Sequence, residues 1–356
     1  MSLAGDLDLL VGSEYAGLRY WENNGTSTAP VFVERDYRDS ANPFAVLEYR
    51  FSGSDFVPQL ADIDGDGDVD LLMRYDSDLT EENEFVFVEN IGTSTAPVFV
   101  LRTGSANPFD GFDPFGGFAL VDLEGDGALG LVVADHDDDG TLKYFSSPGP
   151  STEPELVLRA GDANPFNGMY SVGDVTALAL DGDGGLAFAL TKYSRYYKNK
   201  GTSTAPELEK QTGSENPIDG IDGSSALGDL DGDGDVDLVT CTSDGSLIYS
   251  ENTGTTTEPV FVQKTGTANP FDGINVGWYS APAFGDLDND GTLRPRPSTD
   301  KLRPHVFCRS QATWTSSWEK RLARSTTSRT PGRLRRRCSC NGPEARTPSM
   351  ASTSAI

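Results

Sequence analysis

Two nine-residue phrases carry carboxylates at nearly every second position: DIDGDGDVD, Asp62 to Asp70, and DLDGDGDVD, Asp229 to Asp237. Alternate carboxylates in a tight, glycine-punctuated loop converge on one point, and such a set of hard oxygen donors selects calcium. Asp62, Asp64, Asp66 and Asp70 are expected to offer side chains, and Asp68 its backbone carbonyl. Asp229, Asp231, Asp233, Asp235 and Asp237 are expected to act likewise. Gly67 and Gly234 permit a turn that a side chain would obstruct. Without a cation, carboxylates this close raise one another's pKa and repel. An EF-hand needs an acidic residue at loop position 12, where Met73 and Thr240 stand instead. Tandem GGxGxD nonapeptides are absent, which leaves a short loop between two strands. One copy alone reads equally as a solvated acidic turn; two complete copies in phase with a longer repeat point to Ca2+.

The other copies grade downward. DLEGDGALG keeps Asp122, Glu124 and Asp126 but ends in Gly130, so weak binding is expected. ALDGDGGLA keeps only Asp181 and Asp183, and no metal is expected there. DLDNDG, with Asp286, Asp288 and Asp290, breaks off at Gly291, while GDLD, Gly5 to Asp8, is the end of a loop without its start.

These loops recur with a larger unit. The phrase running from DLDLLVGSEYAGLRYWENNGTSTAPVFV to SANPF, Asp6 to Phe44, returns four times, ending at Gly111, Gly168, Gly220 and Gly273. Equivalent positions Asp8, Asp70, Gly130, Ala187 and Asp237 lie 62, 60, 57 and 50 residues apart. Within a unit, short runs such as Leu18–Trp21 and Leu247–Ser250 alternate with Gly, Asp and Asn-x-Gly-Thr turns, and no helical apolar spacing is visible. Four short strands per repeat is the arithmetic of a propeller blade; a β-solenoid wants shorter, stricter coils. The expected fold is all-β: a β-propeller of four-stranded blades, five of them recognisable, over residues 1–291, followed by a disordered tail, 292–356.

The units resemble FG-GAP/VCBS repeats, the calcium-looped blades of integrin-α-type propellers and of many secreted proteins. That resemblance covers residues 1–291 and rests most specifically on the two complete loops. It implies a calcium-stabilised propeller used extracellularly or at the cell surface for adhesion, ligand display or carbohydrate binding, without catalysis. The partner it implies is a protein or glycan ligand. The chain departs from the family pattern in having five units where seven are usual, and in its degenerate third and fourth loops.

Composition excludes other classes. Residues 1–291 hold 14 basic and 52 acidic residues, net −38, which repels nucleic acid and anionic membranes. No apolar run approaches the roughly 18 residues of a membrane span. Cys241 alone lies in this body, so no disulfide framework holds it, and a small buried residue is expected. MSLAGDLDLL lacks the regions of a signal peptide and starts partway through a repeat, so an incomplete N-terminus is expected. His136, in ADHDDDG, reads as part of a solvated turn, and no catalytic triad, phosphate loop or zinc spacing stands out. Phe44, Phe109, Phe166 and Phe271, each after Asn-Pro, read as blade anchors; Trp21, Tyr144, Tyr197 and Tyr249 read as one phase of the second strand, packed between blades. Asn24-Gly-Thr26 matches a glycosylation acceptor, relevant if the protein is secreted.

Residues 292–356 carry 14 basic and 3 acidic residues, with RLRRR at Arg333 to Arg337. A nucleic-acid arm and a disordered tail are two readings of such a segment. The genetic code supplies a third. Shifted back one base, the codons from Thr313 permit DLDLVVG, and those of Cys338 to Ala355 permit VFVQRTGSANPFDGVDVG, a match to Val260–Gly277. Thr313 to Cys338 and Asp235 to Val260 are both 25 residues, so the register is gapless. The tail is therefore read as a further repeat translated out of frame, with no selected chemistry of its own.

Overall fold

The computed structural model describes residues 7–287 except 15–16, 27, 48–49, 81–82, 94–95, 113, 124–126, 136–139, 148–155, 172–174, 179–186, 203–205 and 256–257. The expectations for His136, for Asp181 and Asp183, and for the tail lie outside the described residues.

Strands follow from the alternating runs. The chain begins with β1 (Asp8–Ser13), β2 (Gly17–Asn23) and β3 (Phe32–Arg35). The second repeat gives β4 (Gly53–Ala61), β5 (Asp70–Ser77), β6 (Asn83–Asn90) and β7 (Phe99–Arg102). The third gives β8 (Pro114–Val121), β9 (Gly130–Asp135), β10 (Leu142–Ser146) and β11 (Val157–Arg159). The fourth gives β12 (Thr176–Leu178), β13 (Ala187–Leu190), β14 (Arg195–Asn199) and β15 (Leu208–Gln211). The fifth gives β16 (Ser224–Gly228), β17 (Asp237–Cys241), β18 (Leu247–Asn252) and β19 (Phe261–Gln263), and β20 (Ala281–Gly285) follows. They form five four-stranded antiparallel sheets, with no α-helix among the described residues. The architecture is a propeller of five blades.

Five blades close the circle because the first repeat lacks an inner strand and β20 supplies it. β20 pairs with β1 in the register Asp8↔Gly285, Leu9↔Phe284, Leu10↔Ala283, giving the sheet order β20-β1-β2-β3. The inner strands then neighbour one another in the cycle β20, β4, β8, β12, β16 and back to β20. Pro58 and Pro282 sit on inner strands, opposite Met73 and Val11. A residue without an N–H is tolerated there because the inner edge carries no further ladder.

Apolar side chains between blades hold the ring. The Asn of each Asn-Pro-(Phe/Ile) phrase ties its turn to a strand: Asn107 Nδ2 donates to the Phe85 carbonyl at 3.1 Å, and Asn164 and Asn269 donate to Leu142 and Leu247 at 2.9 and 3.0 Å. The following ring is then pressed against the next blade. Phe44 stacks on Phe99, Phe166 meets Phe188 and Phe271 stacks on Phe32, each pair with centroids 4.7 Å apart. These phenylalanines are buried, as anchors must be, and so is Cys241.

The aromatic phase needs correction. Val239 faces Tyr249 and Leu10 faces Tyr20, whereas Trp21 faces Leu9 and Tyr197 faces Phe188. Tyr20, Tyr144, Tyr196 and Tyr249 therefore share one face, and Trp21 and Tyr197 the other. Each of the four tyrosines lies three residues before the Asn (Ser147 in the third blade) that opens the next hairpin. A slip of one residue in a strand moves a side chain to the opposite face.

β1 lies tightly against β4. A Cβ on Gly12 would stand 2.0 Å from the Phe56 carbonyl oxygen. Gly12→Ala is expected to lower stability by about 2–3 kcal/mol, since backbone must shift to admit the methyl; a urea melt at fixed calcium checks it.

Candidate metal centre

Each acidic loop joins the inner strand of a blade to its second strand, at the same end as the hairpin between the third and fourth strands. In the second blade one carboxylate oxygen from each of Asp62, Asp64 and Asp70 lies within 4.8 Å of the others. The fifth blade repeats this with Asp229, Asp231 and Asp237. Asp64 and Asp70 are buried, as are Asp229 and Asp237.

Backbone amides fix the first carboxylate of the loop. Gly65 N and Gly67 N donate to the two oxygens of Asp62 at 2.8 and 3.1 Å; Gly232 N and Gly234 N do so for Asp229 at 2.7 and 3.1 Å. Gly67 and Gly234 have φ of +98° and +93°, a conformation that a side chain disfavours. The remaining loop amides pair in steps of two, with Asp66 N donating to Asp64 at 3.2 Å and Asp68 N to Asp66 at 2.9 Å. The fifth blade matches with Asp233 N to Asp231 at 3.2 Å and Asp235 N to Asp233 at 2.9 Å. Asp66 and Asp233 thus cap the loop from its outer side, and Asp66, Asp68, Asp233 and Asp235 are not in the two triads.

The ninth residue links the loop to the sheet. Asp70 accepts from Ile63 N at 3.0 Å and from Asn90 N at 2.7 Å. Asp237 accepts from Leu230 N at 3.0 Å, Asn252 N at 2.8 Å and the Tyr249 hydroxyl at 2.9 Å. Burial pushes Asp70 up to about 7 and Asp237 to about 6, against the lowering effect of these donors. Burial first, and neighbouring carboxylates after it, also raise Asp64, Asp229 and Asp231. Tyr249 is raised by burial and by the adjacent Asp237.

The donor set fits a hard divalent cation: all oxygen, converged, and including carboxylates whose ionisation burial and neighbouring negative charge disfavour. Asp62, Asp64 and Asp70 would hold it in one blade, and Asp229, Asp231 and Asp237 in the other.

The third loop keeps the bond from Gly127 N to Asp122 Oδ2, at 2.9 Å. A Cβ on Gly130 would stand 2.7 Å from Tyr144 Cε2 and 2.9 Å from its hydroxyl, so the tyrosine fills the place of the ninth carboxylate. Glu124 and Asp126 lie outside the described residues.

The seam pairs strands from the two ends of the chain. β20 ends at Gly285, opposite Asp8, as Ala61 stands opposite Asp70 and Gly228 opposite Asp237. Asp286 therefore follows the residue paired with Asp8, as Asp62 and Asp229 follow the residues paired with Asp70 and Asp237. Asp8 is buried and accepts from Tyr20 Oη at 2.8 Å and Asn23 N at 2.7 Å, the contacts Asp237 makes. Asp288 and Asp290 lie outside the described residues. The phase of Tyr and Asn around GDLD carried the signal for Asp8, but only the closed ring reveals which strand it stands against.

Fold and loops together define a propeller with clustered acidic corners between the first and second strands of two of its blades. Residues 229–293 match the FG-GAP-like repeat family model. The chain is a five-bladed propeller whose fifth repeat carries the FG-GAP-like match. No curated protein matches it in sequence.

Proposed function

We propose that the protein is a non-catalytic, calcium-stabilised scaffold of the extracellular space or cell surface, displaying its ring to a protein or glycan ligand. The observation that carries this reading is the pair of carboxylate triads at equivalent positions of two blades. Calcium bound there would supply the positive charge that each cluster lacks. The residues do the rest: Asp62 and Asp229 shape the turn, and Asp70 and Asp237 fasten it to the third strand of the blade through Asn90 and Asn252. An extracellular setting suits sites of this kind, which bind at ~10⁻⁴–10⁻³ M. No helix among the described residues is long and apolar enough to cross a membrane.

Titration calorimetry tests the proposal. Calcium is expected to bind both triads, with one event lost in Asp64→Asn and the other in Asp231→Asn; heat-silent, unbound wild-type protein at millimolar calcium would refute it.

Glycan display is the more specific alternative. At the loop end opposite the acidic corners, exposed Tyr170 and Tyr193 flank the Arg195 guanidinium at 5.1 Å each. Aromatic faces beside a cation suit a sugar ring, and binding on a glycan array that Arg195→Ala removes would favour this form of the proposal.

A further inference from the structure

The register of the second and third strands sets like charges face to face. Leu71 pairs with Val88 and Leu238 with Ser250, so one step outward Asp70 stands opposite Glu89, and Asp237 opposite Glu251. The same step in the seam blade, from Leu9↔Trp21, sets Asp8 opposite Glu22. Like charges at facing positions of an antiparallel pair are destabilising, yet three blades repeat the arrangement.

The repeats also vary together. Where the ninth loop residue is Asp8, Asp70 or Asp237, the facing residue is Glu22, Glu89 or Glu251. Where it is Gly130 or Ala187, the facing residue is Ser146 or Lys198. Each Glu is gripped by a cation at the end of the fourth strand or, for Lys264, one residue past it. Arg102 holds Glu89 through Nε at 2.6 Å and Nη2 at 2.8 Å, Lys264 holds Glu251 at 2.6 Å, and Arg35 holds Glu22. Arg159 keeps that place in the third blade but contacts the Ser146 hydroxyl at 2.7 Å. The glutamates act on the triads: the charge of Glu89 bears on Asp64, that of Glu251 on Asp231, and Asp64 in turn bears on Arg102.

We infer that Glu89 and Glu251 are positioning residues of the cation sites, placing one further negative charge behind each triad, and that Arg102 and Lys264 orient those glutamates while partly offsetting them. The inference rests on the calcium reading above and deepens it. A purely structural ion pair would be indifferent to which partner is removed. An electrostatic role is not, because deleting the Glu subtracts negative charge at the site and deleting the Arg exposes it.

Calcium affinity of the full-length protein is measured calorimetrically for wild type, Glu89→Gln and Arg102→Gln, at low and near-physiological ionic strength, with metal-free melts as the fold control. Glu89→Gln is expected to weaken one of the binding events by roughly five-fold and Arg102→Gln to tighten it by a similar factor. Both shifts are expected to shrink with added salt. Glu251→Gln and Lys264→Gln should do the same to the other event, so that failure of one variant to fold leaves a second pair. Wild-type binding with all variants unchanged, or with both members of a pair shifting in the same direction, overturns the inference and leaves the calcium reading standing. A wild type that binds no calcium overturns both.

Discussion

Chelation with EGTA is expected to lower the melting temperature of the ring by roughly 10–20 °C. A site held at a hundred times its dissociation constant contributes about 2.7 kcal/mol, so two sites contribute about 5, and each kcal/mol moves the melt of a domain this size by about 2–4 °C. The metal-free protein should also show an inverted pH response. Asp70 and Asp237 stand at about 7 and about 6 in the folded ring against 3.8 for an ordinary carboxyl. The folded state therefore holds their protons more tightly than the unfolded chain does. That contribution is complete below about pH 4 and disappears as pH rises through 6 to 7. With calcium saturating, acidification is expected to destabilise instead, because protons compete for the same oxygens. Scanning calorimetry from pH 5 to 8, with and without calcium, checks both slopes; superimposable melts would remove cation binding from the account of stability.

A chain stopped after Ser280 is expected to fail to form a cooperative ring, whereas one stopped after Arg296 should melt like the full-length protein. The first truncation removes β20, leaving both β1 and the gap between β16 and β4 without a partner. It also removes Phe284, which packs against Phe271 and Phe32, and Leu287, which is 2% exposed beside Leu10 and Phe56. Each such side chain is worth about 1.5–3 kcal/mol in burial alone, a large part of the about 5–15 kcal/mol that holds a domain folded. Circular dichroism melts of the two truncations decide the matter, and a cooperative, native-like melt for the shorter one would show that the seam is dispensable.

Much of this was legible in the residues. The recurrence of Asn-x-Gly-Thr and Ser-Ala-Asn-Pro-Phe gave strand number and blade length, because turn chemistry and two-residue alternation act locally. Asp62, Asp64, Asp229 and Asp231 were readable for the same reason: a nine-residue loop builds most of its geometry from its own amides. The tyrosine phase was misread because hairpins of unequal length shift the count by one, and only cross-strand pairing fixes which residues face each other.

The sequence by itself determined the blade and its acidic corner, since each is set by contacts within a few tens of residues. Tertiary structure alone decided that five blades suffice, that Asp8 pairs with Gly285, and that Glu89 and Glu251 stand opposite Asp70 and Asp237. Those outcomes depend on which strand edge finds which partner, a choice made by closure of the whole ring and by register across strands rather than by any local run of residues.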